Sequence, residues 1–202
     1  MPKFLLFLLL FAQCLLWPCS AITADNAILA EQADPNEQAE LRHFLKKTIT
    51  GANSFDDRFE AEVWLVDMSG RLARLVKDPI ARLKLLRSVH REATKAKLKP
   101  DLVLALIEVE SHFNEFAISR VGAQGLMQVM PFWKKEIGRH DDNLTDIDTN
   151  LSYGCRILQF YLKKEKGNWM KALARYNGSY GKYWYPERVM NIWKKHWFIA
   201  EN

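Results

Sequence analysis

Apolar positions along the chain recur with helical spacing, and no alternating stretch long enough for a half-buried strand is present. Leu41, Phe44, Leu45, Thr48 and Ile49 fall at i, i+3, i+4, i+7 and i+8, and Gly51 follows, which predicts a helix with its C-terminal stop. Ser54, with Asp57 three residues on, resembles a capping box. It opens a second helix with Phe59, Val63 and Val66 on its apolar face and Gly70 at its end. Asp78-Pro79 starts a third helix, running to about Lys99. Pro100, at a first helical position, starts a fourth through Phe113, with Leu102, Ala105, Leu106, Val109 and Phe113 as its core stripe. The predicted class is all-α.

The N-terminus sets the compartment. Lys3 precedes an apolar run from Phe4 to Trp17 broken only by Gln13, and the next charge is Asp25. A basic start, an apolar stretch and small residues before the charge describe a secretory signal peptide over residues 1–24, cut after Ala21 or Ala24. Left uncut, Phe4–Ala24 would serve as a short membrane anchor. Cleavage removes Cys14 and Cys19 and leaves Cys155 in an apolar helical run, so a buried structural thiol and no internal disulfide are expected. Residues 25–38, polar and acidic with Pro35, read as a mobile arm. The organisation expected is a signal peptide (1–24), an N-terminal arm and helical region (25–95), and a domain carrying the chemistry (96–202).

Of the 202 residues, 49% are hydrophobic and 26% charged, which excludes disorder, collagen and a disulfide scaffold. Charge is uneven. Residues 71–99 hold ten Lys and Arg against Asp78 and Glu92, a local net of +8 in a chain of +5. Such a run fits either an anionic partner or a solvated helix face; an exported protein seldom meets nucleic acid, so none is expected as a partner.

The fourth helix carries the first candidate for chemistry. Glu110 lies four residues after Leu106 and three after Ile107, on the edge of the apolar stripe. Glu108 is turned about 200° from it on a 3.6-residue helix, away from the chemistry, and its replacement by Gln is expected to be nearly silent. Desolvation and the helix C-terminus both disfavour an anion at Glu110, and a carboxyl kept protonated near neutral pH is what a glycosidic leaving oxygen needs as proton donor. A salt-bridged helix flank is the plainer alternative. Beyond it, Ser119–Pro131 places Gly122 and Gly125 three apart, then Gln128, whose amide both donates and accepts and so suits sugar hydroxyls and acetamido groups.

Glu110-Ser111-His112-Phe113, Ser119 and Gly122-Ala123-Gln124-Gly125-Leu126-Met127-Gln128-Val129-Met130-Pro131 together resemble the lytic transglycosylases with the soluble-lytic-transglycosylase (SLT) domain. The likeness continues through Asn150-Leu151, Gly154, Leu158 and Tyr161-Leu162, and closes with Ala172-Leu173-Ala174-Arg175-Tyr176-Asn177-Gly178. It covers residues 96–190. The resemblance implies a lysozyme-like helical fold and cleavage of the β-1,4 bond between N-acetylmuramic acid and N-acetylglucosamine in peptidoglycan. It implies Glu110 as single acid/base, Ser119 near the muramyl acetamido group, Met127 and Gln128 lining the groove, and Tyr176 beside the catalytic carboxyl with Asn177 next to it. Ser111 reads as support for helix or loop. The family's Tyr-Asn-Ala-Gly or Tyr-Asn-Gly-Gly here ends Gly178-Ser179, and Gly181 and Lys182 stand where some members place an acidic residue before the last Tyr-x-x-x-Val helix.

The resemblance favours a path in which, with one carboxyl, the substrate acetamido assists departure and the muramyl 6-hydroxyl closes on C1, leaving 1,6-anhydro ends. Two-carboxyl hydrolysis by a lysozyme, or a wall-binding protein without turnover, are the alternatives. Glu115 reads as a loop residue, and the Asp141–Asp148 acids as loop and cap residues; that stretch lacks the Gly and Glu of a calcium loop. The five histidines lack the spacing of a zinc helix. No metal and no cofactor is expected. The implied setting is the periplasm, as a monomer on glycan strands.

Overall fold

The structure, a computed structural model, describes residues 58–199. The signal segment 1–24, the arm 25–38 and the helix over 41–49 lie outside the described residues. The elements are α1 (Arg58–Leu72), α2 (Pro79–Lys95), α3 (Pro100–Ser111), α4 (Trp133–Ile137), α5 (Ile147–Lys164), α6 (Trp169–Asn177) and α7 (Trp184–Ile192), followed by one π-helical turn, Trp193–Trp197. Among the described residues there is no β-strand, and two isolated bridges, Ile118–Gln124 and Gln124–Val129, tighten one loop. The fold is all-α.

Helix α3 is the axis. Every residue from Leu102 to Glu108 is buried, so α3 is wrapped on all sides rather than packed along one stripe. It touches α2, α7 and the π turn, while α5 lies against α2 and α6. Asp78 caps α2 by accepting the Ile80 N–H at 2.9 Å, and Pro79 supplies its first position. α2 stops at Lys95, short of the expected Lys99. Lys97 turns left-handed (φ 54°), Leu98 N–H bonds Ala93 O at 2.9 Å, and Leu98 is thereby buried before Pro100 opens α3.

The apolar face expected of α1 is the wrong one. Phe59, Val63 and Val66 are exposed, and Ala61, Leu65, Met68 and Leu72 form the buried stripe. Both sets have helical spacing, and only the position of α2 chooses between them. The helix also runs through Gly70, whose Cα faces open space, because continuing buries Leu72. The basic run 71–99 is in part paired within the chain: Arg82 donates to Val76 O and Lys77 O at 2.8 Å, Arg91 pairs with Asp148 at 2.7 Å, and Lys95 with Glu92 at 2.9 Å.

Cys155 is buried on α5, and burial pushes its thiol well up. Asp146 caps α5 through the Thr149 N–H at 2.9 Å. One turn of α5 is shaped for a neighbour: a Cβ on Gly154 would lie 2.4 Å from Met127 Sδ and 2.7 Å from Met127 Cβ. Gly154→Ala is therefore expected to lower stability by about 1–3 kcal/mol, by overpacking, where an unhindered helix site would gain about 1 kcal/mol from the same change. Thermal unfolding reads the sign.

Candidate active site

α3 ends abruptly. His112 and Phe113 both take left-handed backbone (φ 51° and 64°), costly for residues with a Cβ. Three residues hold the reversal. Ser111 Oγ donates to Ile107 O at 3.2 Å and Leu126 O at 2.8 Å, His112 N–H returns to Glu108 O at 3.2 Å, and the Phe113 ring lies on Trp197 with centroids 5.6 Å apart. Ser111 is thus the support expected of it, joining helix end to loop.

Glu110 sits one residue before that end, half-buried, and Tyr185 of α7 donates its hydroxyl to Glu110 Oε1. Burial is the largest influence on the Glu110 carboxyl and raises it to about 7; the Tyr185 hydrogen bond and the positive field of Arg188 pull the other way and lose. Among the described residues no second carboxylate stands out among the groups acting on it. Burial and the nearby Glu110 charge push the Tyr176 and Tyr185 phenols well up, so both remain protonated donors.

The loop after α3 is set by Asn150 on α5. Its Nδ2 donates to Gln124 O at 2.8 Å and Leu144 O at 2.7 Å, and its Oδ1 accepts Met127 N–H at 2.8 Å. Gly125 (φ 74°) lies against this side chain: a Cβ there would be 2.4 Å from Leu144 O. Tyr176 OH donates to Met127 O at 2.7 Å. Gln128, itself left-handed at φ 48°, donates Nε2 to Gly125 O at 2.9 Å and Ala117 O at 3.2 Å. Ser119 Oγ accepts Ala123 N–H at 3.0 Å, closing the tip of the loop.

Several expectations for individual residues change. Met127 is fully buried in the slot that Gly154 leaves, so its side chain lines no groove, and its backbone bonds Asn150 and Tyr176. Tyr176 lies near Glu110 but spends its hydroxyl on Met127 O; the hydroxyl on the carboxyl is that of Tyr185. Asn177 is exposed at the end of α6, and Ser119 and Gln128 are half-buried in the loop. Glu108, turned away from Glu110 as expected, is nonetheless buried. Its side chain is 7% exposed and accepts from Arg74 Nη2 at 2.8 and 2.9 Å and from Trp197 Nε1 at 2.7 Å, with His196 Nδ1 at 3.0 Å. Sequence reasoning overlooked Tyr185, Arg188 and the clamp role of Asn150. The Tyr-x-x-x-Val spacing of Tyr185–Val189 was the available signal for the first. A cleft of about 570 Å³ between α2 and α5, lined by Lys95, Arg139, Asp142 and Arg156 among others, shares no residue with this site.

The family model described as "Transglycosylase SLT domain" matches residues 87–191, more than half of the chain. The chain belongs to the transglycosylase SLT family. Curated relatives include three named membrane-bound lytic murein transglycosylase C, from Actinobacillus pleuropneumoniae serotypes 5b, 3 and 7. Each is 46% identical over 43 residues, which is 21% of this chain and 12% of the relative. The match therefore spans about an eighth of those relatives' length. Among solved structures, an inactive mutant of the lytic transglycosylase Slt from Pseudomonas aeruginosa is 22% identical with a TM-score of 0.44, over 75% of this chain and 33% of that one. The 70-kDa soluble lytic transglycosylase of Escherichia coli is also 22% identical, with a TM-score of 0.41 over 82% and 26%.

The raised carboxyl of this SLT domain has a consequence for stability. Its folded value, about 7, lies above the ordinary 4.5, so the folded state holds the proton more tightly. Stability from this group is complete below pH 4.5 and is lost as pH rises through 7. Relative to wild type, Glu110→Gln should gain about 2–3 kcal/mol between pH 4.5 and pH values above 7, read by urea unfolding at each pH.

Proposed function

We propose that the chain is a peptidoglycan lytic transglycosylase that cleaves the β-1,4 bond between N-acetylmuramic acid and N-acetylglucosamine, with Glu110 as the single acid/base. The observation carrying this reading is the Glu110 carboxyl: desolvated, raised to about 7, and offered at the end of α3 with Tyr185 orienting it. In the first step the protonated Glu110 gives its proton to the glycosidic oxygen as the C1–O bond breaks, and the N-acetylglucosamine leaves as an alcohol. The muramyl acetamido oxygen supports C1 from the opposite side. In the second step the Glu110 carboxylate takes the proton of the muramyl 6-hydroxyl as that oxygen bonds to C1 and the acetamido leaves. The acid is restored and the product is a 1,6-anhydro end. The 6-hydroxyl is already attached to the substrate, and its high effective concentration favours it over water.

Around this centre the reading assigns the uncommitted Oε1 of Gln128 and the exposed Asn177 amide to acetamido and hydroxyl groups, and Ser119 to the loop tip facing the muramyl residue. Tyr176 acts through Met127 O, by fixing the loop. Exposed Trp184, edge-on to Tyr185 with ring centroids 5.8 Å apart, offers an aromatic face to a sugar. The catalytic domain is assigned to residues 96–202 on a lysozyme-like plan, with 25–95 as its N-terminal helical region. The enzyme is placed in the periplasm, exported by residues 1–24, working as a monomer on glycan strands and on no nucleic acid. Among the described residues no helix is long and apolar enough to cross a membrane.

Two measurements test the chemistry. Glu110→Gln keeps shape and hydrogen bonding but has no proton to transfer, so turnover of purified peptidoglycan should fall by roughly 10²–10⁴ while binding persists. An unimpaired variant removes Glu110 from the mechanism. Mass spectrometry of wild-type digests should find muramyl ends lighter by one water than hydrolysed ends, with no gain in reducing sugar. Reducing muramic acid ends would identify a hydrolase, and Glu115 would be the first carboxylate to replace.

A further inference from the structure

The buried Glu108 cluster takes no part in the steps above, yet it closes the frame that carries them. Both groups that act on the Glu110 carboxyl from across the site, Tyr185 and Arg188, belong to α7. α7 runs without a break into the π turn, and that turn is fastened to α3 at two points. Trp193 Nε1 donates to Asp101 Oδ2 at 2.7 Å in the first turn of α3; Trp197 Nε1 donates to Glu108 Oε2 at 2.7 Å, with His196 Nδ1 at 3.0 Å from Oε1, in its last. The register of α7 against α3, and so the placing of Tyr185 and Arg188 at Glu110, is held by these pins.

The cation for Glu108 comes from the chain before the family match, which begins at residue 87. Arg74 Nη2 reaches both carboxylate oxygens at 2.8 and 2.9 Å, and its guanidinium lies 5.9 Å from the Trp197 ring centroid. One turn earlier, Arg71 Nη1 donates to His196 O and Phe198 O, each at 3.2 Å. The end of α1 and the turn that follows it thus grip the same segment twice.

We propose that Glu108 and Arg74 are positioning residues for the Glu110 acid/base, so that the segment preceding the SLT match is a working part of the active-site frame. This rests on the reading of Glu110 given above. A buried carboxylate that loses its cation must find water or a proton, and either releases the π turn. α7 then shifts, and Glu110 loses both the Tyr185 hydrogen bond and the nearness of Arg188. Each of these holds the carboxyl down, so their loss moves its titration midpoint upward. The groups facing Glu110 are Tyr185, Arg188 and Tyr176; those facing Glu108 are Arg74, His196 and the Trp197 indole.

The test uses the full chain as wild type, Arg74→Ala, Arg74→Lys and Glu108→Gln. Two quantities are read: kcat and KM on purified peptidoglycan, and the midpoint of the Glu110 carboxyl carbon in protein labelled with carbon-13 glutamate. Absence of the signal from Glu110→Gln assigns it. Arg74→Ala and Glu108→Gln are expected to lose roughly 10- to 100-fold in kcat with KM nearly unchanged, and to titrate Glu110 at higher pH. Arg74→Lys, which keeps the charge without the planar fork, should fall between. A folded Arg74→Ala with wild-type kcat and midpoint overturns the proposal. So does a fall in kcat that only follows the lost folded fraction while the midpoint stays put. Should Arg74→Ala melt below the assay temperature, Arg74→Lys decides by the same readouts. A wild type that cleaves no peptidoglycan defeats the functional reading instead, and the midpoints still report on the frame.

Discussion

An α-helix wrapped on every side leaves its charged residues nowhere to go, and that constraint on α3 organises the molecule. Two glutamates lie two residues apart near its end, and both leave bulk water. Glu108 is met by a guanidinium, an indole and an imidazole, which satisfy a buried anion at close range. Glu110 is met by one phenol and the more distant field of Arg188, which are too little to offset its desolvation, so its carboxyl holds a proton to about pH 7. Partners, more than burial itself, leave one carboxylate braced and the other raised.

The loop after α3 obeys the same rule at the backbone. Its carbonyl and amide groups are drawn inward around Gly125 and Gly154, where polar groups need partners. Asn150 supplies three of the bonds from one side chain, and Tyr176 adds a fourth. Because Met127 is held at its N–H, its carbonyl and its thioether, the loop is stiff without lying in a helix or strand. Stiffness of this kind is what a site needs if substrate groups are to meet fixed donors rather than mobile ones. Two residues with motif spacing, Met127 and Tyr176, are accordingly bound into this loop and not offered at its surface.

Charge is used twice in the chain before residue 96. The run of Lys and Arg that stands out in the sequence is partly spent within the chain, where Arg74, Arg82, Arg91 and Lys95 secure turns, helix ends and acidic side chains. An uneven charge distribution is often read as a surface for a partner. Here a good share of it is internal fastening, and a count of charges cannot separate the two, since a guanidinium spans enough distance to reach a carbonyl or a carboxylate far along the chain.

What the sequence by itself determined is local. Capping at Asp78-Pro79 and Asp146, the start at Pro100, the buried thiol at Cys155, the all-α class and the family all follow from neighbours within a turn or from a contiguous motif. The distinct environment of Glu110 was legible too, because its distance from Leu106 and Ile107 is a property of one helix. Which face of α1 is buried, the inward turn of Glu108 and the choice of Tyr185 over Tyr176 for the Glu110 carboxyl were decided only by tertiary structure. Each depends on a partner 34 to 89 residues away along the chain, or on a neighbouring helix, and helical periodicity says which residues share a face without saying what that face will meet.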